Sequence, residues 1–280
     1  LNDNCFHTII ISRYVSFFEQ FKTIKCGQLV LSAHDSTGFI NFTKNNTIDN
    51  ILRKNNKDID YVISLTEWHK NNIIERHDFL KDKIRVINNG INIQDFNKEN
   101  ITLYIKVKNR FIWSSCAYRG LNIMLNLWSK ILEVMPDATL EICSYDTFPK
   151  NKDDEKMLEI INMHSSITYH GKLNTDELYK LASTSEYWLY TNTFPETSCI
   201  TAMEMLMCEV VCLYYPLAGL NDTLGDYGIA VKQGEEIETL INLSIERKTR
   251  LRKKGKEYAL SCSWENRAKE WSNILVLNKK

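Results

Sequence analysis

The sequence predicts an α/β protein built as two parallel-sheet units, and three observations carry that reading. Short apolar runs that suit buried strands alternate with polar or helix-patterned stretches along most of the chain. The turn Asn88-Asn89-Gly90 follows one such run and precedes a second α/β series, which makes it a boundary between two units. With 280 residues, 44% hydrophobic and 25% charged, the chain can bury one large core or two modest ones.

Taken in order, the first unit spans residues 1–88 and opens on HTIIISR, LVLSAHD and DYVISLT, three strand-like runs, followed by KIRVINNG. A hinge or linker, residues 89–108, carries the polar stretch from Asn92 to Lys108. The second unit, residues 109–260, starts with the apolar run Phe111 to Trp113, which Ser114 and Ser115 break. Leu121, Met124, Leu125, Leu127, Trp128, Ile131 and Leu132 then recur at helical spacing, and ATLEI reads as the next strand. Further along, ITY ends at His170-Gly171, an apolar helix runs into the strand EVVCLYY, and Asp226 and Gly228 mark a turn before a last strand. The tail, residues 261–280, is helical, with Trp264, Ala268, Trp271 and Ile274 on one face.

Composition excludes several classes of function. Net charge is zero, with 35 basic and 35 acidic residues, so no charge block marks a nucleic-acid partner. The basic run Arg247 to Lys256 is interleaved with Leu251 in the manner of an exposed helix. No apolar stretch approaches the roughly 18 to 20 residues of a transmembrane span. Eight cysteines sit mostly in apolar runs without C-x2-C pairs, which argues against zinc and for a reducing, cytoplasmic compartment. The chain opens at Leu1 with neither an initiator Met nor a signal-like segment. Asp58-Ile59-Asp60 is formally a D-x-D metal phrase, but it precedes a strand where such a site follows one; no metal and no cofactor are expected. No G-x-S-x-G elbow is present to support a hydrolase.

The most informative feature is the pair Glu196 and Glu204, with seven residues between them, in FPETSCITAMEMLM. A nucleotide-diphosphate sugar presents hydroxyls at both ends and a pyrophosphate between, so its binder needs acceptors flanking a set of donors. Read as a helix start, the amides of Thr197, Ser198 and Cys199 are unpaired donors that favour a phosphate anion. Glu196 then precedes the helix, and Glu204 lies about two turns into it. Upstream, the turn S-S-x-x-x-R-G-L places Ser115 and Arg119 at the carboxyl end of a strand, where open α/β sheets bind ligands.

These phrases resemble the Glu-x7-Glu glycosyltransferases with two Rossmann-like domains, the GT-B architecture, and in particular its large family four. The resemblance covers nearly all of residues 60 to 275 and is strongest from 110 to 230. It implies a retaining, metal-independent transfer, with hexosyl transfer expected, from a UDP-, GDP- or ADP-linked sugar to a glycan, protein or lipid acceptor that the sequence leaves open. It also implies roles. Ser115 and Arg119 meet the pyrophosphate, Glu196 the transferred sugar, Glu204 the ribose, and His34, in the phrase LSAHD, the sugar or acceptor. Glu196, Arg119 and His34 are the catalytic candidates. Gly171, Lys172 and Leu173 lie near the base, and Gly219 brings a backbone amide toward the nucleotide.

The chain departs from the family pattern in two places. The turn after Leu121 has Asn122 and no second basic residue nearby, and Cys143-Ser144 stand where a Gly is common. Relatives also carry additional amino-terminal strands and a Gly-rich loop, so the first domain is expected to be abbreviated or truncated. Two other readings share the donor residues: a non-catalytic nucleotide-sugar-binding module and a GT-B epimerase.

Overall fold

A computed structural model describes residues 5–21, 24–43, 46–97, 104–144 and 148–275. The first unit runs β1 (Phe6–Ser12), α1 (Phe17–Gln20), β2 (Cys26–Ser32), α2 (Ile48–Asn55), β3 (Tyr61–Ser64), α3 (Glu67–Arg76), β4 (Ile84–Val86) and α4 (Ile93–Asn97). The second follows with β5 (Arg110–Ser114), α5 (Leu121–Val134), β6 (Thr139–Cys143), α6 (Lys152–Met163), β7 (Ile167–Gly171), α7 (Thr175–Thr184) and β8 (Tyr187–Tyr190). It continues through α8 (Ile200–Met207), β9 (Val211–Tyr214), α9 (Leu220–Leu224), β10 (Ile229–Ala230), α10 (Glu236–Ile241), α11 (Ile245–Ser261) and α12 (Trp264–Leu275).

Local chemistry sets many of these boundaries. Side chains of Thr47, Thr66, Asn151, Asn174 and Ser244 accept from first-turn amides, so α2, α3, α6, α7 and α11 each start on a capped donor. At α7 the cap is reciprocal, because Glu177 reaches back to the Asn174 amide. The strands are short and buried on both faces, as expected for sheets covered by helices on each side.

Two parallel sheets result. The first has order β1-β2-β3-β4, and the second β10-β9-β8-β5-β6-β7. In the second, the chain lays β6 and β7 on one side of β5, then returns to add β8, β9 and β10 on the other. Strand order therefore reverses between β5 and β8. Outside the carboxyl ends of those two strands lies the crevice in which open α/β sheets place ligands.

The connection between units is not a free spacer. Phe96, on α4, is buried and stacks on Tyr179 of α7 with ring centroids 4.0 Å apart. Residues 98–103 of the linker and 276–280 of the tail lie outside the described residues. At the return crossing, the Ile91 amide donates to the Cys262 carbonyl at 2.9 Å, and the Trp264 amide donates to the Ile91 carbonyl at 3.1 Å. Helix α12 then crosses onto the first sheet, packing Trp271, Ile274 and Leu275 against Val30, Ile63 and Ile87. The basic face of α11 departs from the exposed-helix expectation, since Lys248 and Arg252 turn inward onto Glu186 at 2.8 and 3.2 Å. None of the eight cysteines forms a disulfide. Among the described residues no helix is long and apolar enough to cross a membrane.

Candidate functional site

Two loops leave the carboxyl ends of β5 and β8, and they are laced together. The Thr193 amide donates to the Arg119 carbonyl at 3.0 Å, and the Thr191 hydroxyl to the Gly120 carbonyl at 2.8 Å. Gly120 is required here: its φ is +121°, and a Cβ would sit 2.0 Å from the Thr191 carbonyl oxygen. This lacing brings Arg119 and Glu196 together. The Arg119 Nη1 donates to Glu196 Oε1 at 2.6 Å, and the Arg119 guanidinium lies 4.4 Å from the centre of the Phe194 ring.

Behind the pair stands a tyrosine that the sequence analysis missed. The Tyr190 hydroxyl donates to the same Glu196 oxygen at 3.0 Å and exchanges a hydrogen bond with Ser115 Oγ at 3.2 Å. Burial pushes the Glu196 carboxyl up from its usual range, and Arg119 and the Tyr190 hydroxyl oppose that shift by favouring the anion. No motif signals Tyr190, because its role depends on β8 lying beside β5.

Five expectations change with the geometry. Ser115 is buried behind Tyr190, so its hydroxyl faces Glu196's support rather than the open cleft. Helix α8 begins at Ile200, with Cys199 as its cap position, so the helix does not start at Thr197. Glu204 is its fifth residue, little more than one turn in, and accepts from the Tyr179 hydroxyl at 2.7 Å. Cys199 is buried, its amide turned to Thr223 Oγ1, which removes it from the phosphate-facing set. Finally, the Gly219 amide donates to the Glu196 carbonyl at 2.8 Å and is not free for a nucleotide.

Thr197 and Ser198 remain at the cleft. Among the described residues, no hydrogen bond engages either amide, and the Ser198 hydroxyl is buried without a partner. The Thr197 side chain spans the cleft and donates to the His34 carbonyl at 3.0 Å, while Thr66 Oγ1 donates to the Thr197 carbonyl at 2.9 Å. Residues of both units therefore line one cavity of about 570 Å³, with His34, Asp35 and Arg13 facing Arg119, Glu196 and Ser198. Burial, and next the Arg13 charge, hold the His34 imidazole below its usual value, so the ring is neutral at physiological pH.

The remaining candidates are placed apart from this centre. Gly171, with φ +67°, ends β7, two strands removed from β5, and the turn continues through the exposed Lys172 and the half-buried Leu173. Asp60, from the D-x-D phrase, accepts from the Leu29 amide at 2.8 Å and braces the first sheet. Among the described residues no group of three His, Cys, Asp or Glu side chains is placed to hold a metal ion.

No family model and no curated protein matches this chain. Solved structures do. Over 93% of this chain it is similar to 73% of Anabaena Alr3699/HepE in complex with UDP-glucose, at 13% identity and a TM-score of 0.67. A glycosyltransferase from Rickettsia africae ESF-5 matches 95% of this chain over 74% of its own length, at 13% identity and a TM-score of 0.71. The chain has the GT-B fold. Sucrose-phosphate synthase from Thermosynechococcus elongatus shares it, at 14% identity and a TM-score of 0.68, covering 96% of this chain and 72% of that one. In the GT-B arrangement seen here, the cleft between the sheets is the space that Arg119, Glu196 and His34 enclose.

Proposed function

We propose that this chain is a retaining, metal-independent glycosyltransferase that moves a hexosyl group from a nucleotide-diphosphate sugar to an acceptor. One observation carries the reading: Arg119 and Glu196 converge at the strand-order reversal of a GT-B cleft, facing His34 across it. A structure of that fold in complex with UDP-glucose supports the donor class.

In this reading the diphosphate lies against Arg119 and the amides of Thr197 and Ser198, where the start of α8 adds its dipole. The transferred sugar meets Glu196 and His34. The ribose meets Glu204, whose carboxylate keeps one oxygen on Tyr179, and the base extends toward the turn at Gly171, Lys172 and Leu173. In this reading Glu196 accepts from the sugar's hydroxyls and does not attack its anomeric carbon. Retention then proceeds by front-face attack, in which the departing phosphate oxygen takes the acceptor proton. The protein's part is to hold the partners in line and to stabilise the negative charge that grows on the leaving diphosphate. Arg119 supplies that charge stabilisation. The unbridged, mostly buried cysteines fit a reducing, cytoplasmic setting.

A thermal-shift screen of UDP-, GDP- and ADP-sugars tests the donor class. A donor at about 100 times its dissociation constant raises stability by about 2.7 kcal/mol. That gain should survive EDTA; loss with EDTA and recovery with magnesium or manganese overturns metal independence. Release of nucleoside diphosphate only when an acceptor is present separates transfer from epimerisation, and no release at all leaves a binding module.

A further inference from the structure

Arg13 follows β1 with φ +71°, a left-handed backbone that glycine adopts freely and arginine rarely does. It is held there from both sides: its amide donates to the Ser32 carbonyl at 2.9 Å, and its carbonyl accepts from the Ile40 amide at 2.9 Å. Strained positions of this kind persist where the surrounding structure holds them, and they cluster at ligand sites. The Arg13 side chain lines the same cavity as Arg119, and these two are the cationic side chains lining it among the described residues. Its Nε approaches Asp35 Oδ2 at 3.3 Å, which fixes the guanidinium from behind. Both terminal amino groups of Arg13 are without a partner among the described residues, and the side chain is 42% exposed.

The charge balance of the cleft gives this geometry its meaning. Arg119 already shares its charge with Glu196 at 2.6 Å, and no Lys or Arg follows it before Lys130. A diphosphate brings at least two negative charges to a cleft whose two guanidiniums each face one carboxylate, Arg119 through Nη1 at 2.6 Å and Arg13 through Nε alone at 3.3 Å. We infer that Arg13, from the first domain, supplies the second phosphate-binding cation, presenting its two free amino groups to the diphosphate across the cleft from Arg119. A guanidinium fork suits two oxygens of one phosphate. This inference rests on the nucleotide-diphosphate reading above.

The test titrates the parent with UDP, GDP and ADP by calorimetry and carries the tightest of the three into Arg13→Ala, Arg13→Lys and Arg13→Gly. Arg13→Ala is expected to weaken that diphosphate at least tenfold, or 1.4 kcal/mol. Arg13→Lys should fall between the parent and Arg13→Ala, and the matching nucleoside should bind all four proteins within about twofold. Arg13→Gly relieves the backbone strain, so it should unfold at or above the parent's temperature and still lose diphosphate affinity. Parent-like diphosphate affinity in Arg13→Ala and Arg13→Gly overturns the inference. Equal losses for nucleoside and diphosphate also overturn it, by showing that Arg13 shapes the cleft instead of meeting phosphate. A parent that binds none of the three nucleotides removes the donor reading itself.

Discussion

Glu196 is buried, and burial alone favours its neutral acid; the guanidinium of Arg119 and the hydroxyl of Tyr190 oppose that preference. The two cleft residues are therefore interdependent, which sharpens what substitution should do. Arg119→Ala removes a cation from the diphosphate and strips Glu196 of its counter-charge, so free nucleoside diphosphate and intact donor should both weaken at least tenfold. Glu196→Ala removes an acceptor for sugar hydroxyls and takes one carboxylate away from Arg119. Free diphosphate affinity should stay within about twofold of the parent or tighten, while donor affinity or turnover falls about tenfold, or 1.4 kcal/mol. Calorimetry on proteins shown to be folded reads both. If Glu196→Ala weakens bare diphosphate as much as donor, Glu196 supports the phosphate loop and its assignment to the sugar is reversed. Both residues are visible in the sequence as parts of motifs, but the contact between them is not: 77 positions separate them, and only the pairing of β5 with β8 closes that gap. Ser115 shows the converse. Its motif position suggests a phosphate ligand, yet Ser115 is buried with its hydroxyl against that of Tyr190, and neither residue lines the cleft cavity.

Helix α3 shows how an element outside the site holds it. His69, fully buried, accepts the Leu65 amide at Nδ1 at 3.2 Å, so its proton sits on Nε2 and is donated to the Asp35 carbonyl at 3.0 Å. That bond fixes the loop carrying His34 and Asp35 into the cleft. Burial, with the nearby His34 charge, lowers the His69 pKa to about 4, although the bond to Asp35 pulls the other way. The folded pKa lies below the unfolded value near 6.5, so the unfolded chain binds the extra proton between those two values. Stability from this group is complete above pH 6.5 and is lost as pH falls toward 4, by about 2 kcal/mol at pH 5. Denaturant midpoints of the parent should therefore fall between pH 7 and 5, and His69→Gln should flatten that slope; identical slopes would show that His69 does not carry it. The start of α8 is set by a partner outside its own stretch of sequence. Thr197 and Ser198 have the residue types of a helix cap, but the Thr197 hydroxyl is committed to the His34 carbonyl in the other domain. A cross-domain partner displaced the local one, and the helix begins three residues later at Ile200.

At the scale of the whole molecule, the alternation of strands and helices foretold two parallel sheets, whereas the close approaches that set one sheet against the other are written in no motif, even where the residues themselves belong to one. Gly219 is the tightest of these. Its φ is −69°, which any residue adopts, so its need for glycine comes from space alone. A Cβ there would lie 2.5 Å from the Thr197 carbonyl oxygen, 2.8 Å from Thr66 Oγ1 and 2.9 Å from the Glu196 carbonyl oxygen. Two of those atoms are backbone of the second domain and one belongs to the first, so an added methyl must push the domains apart at the loop that carries Glu196. Overpacking of this kind costs about 1 to 3 kcal/mol. Gly219→Ala should therefore lower the unfolding temperature and weaken donor binding at least tenfold, because Glu196 and Thr197 move while every cleft side chain is retained. Gly234→Ala is the matched control: its φ of +98° imposes local strain, but nothing lies within 4 Å of the added methyl, so stability should drop without a change in donor affinity beyond about twofold. Stability and binding measured on both variants separate general destabilisation from loss of domain fit. Parent-like donor affinity in Gly219→Ala would show that the cleft tolerates a wider separation, and that the Thr66–Thr197–Gly219 contact does not set the distance across it.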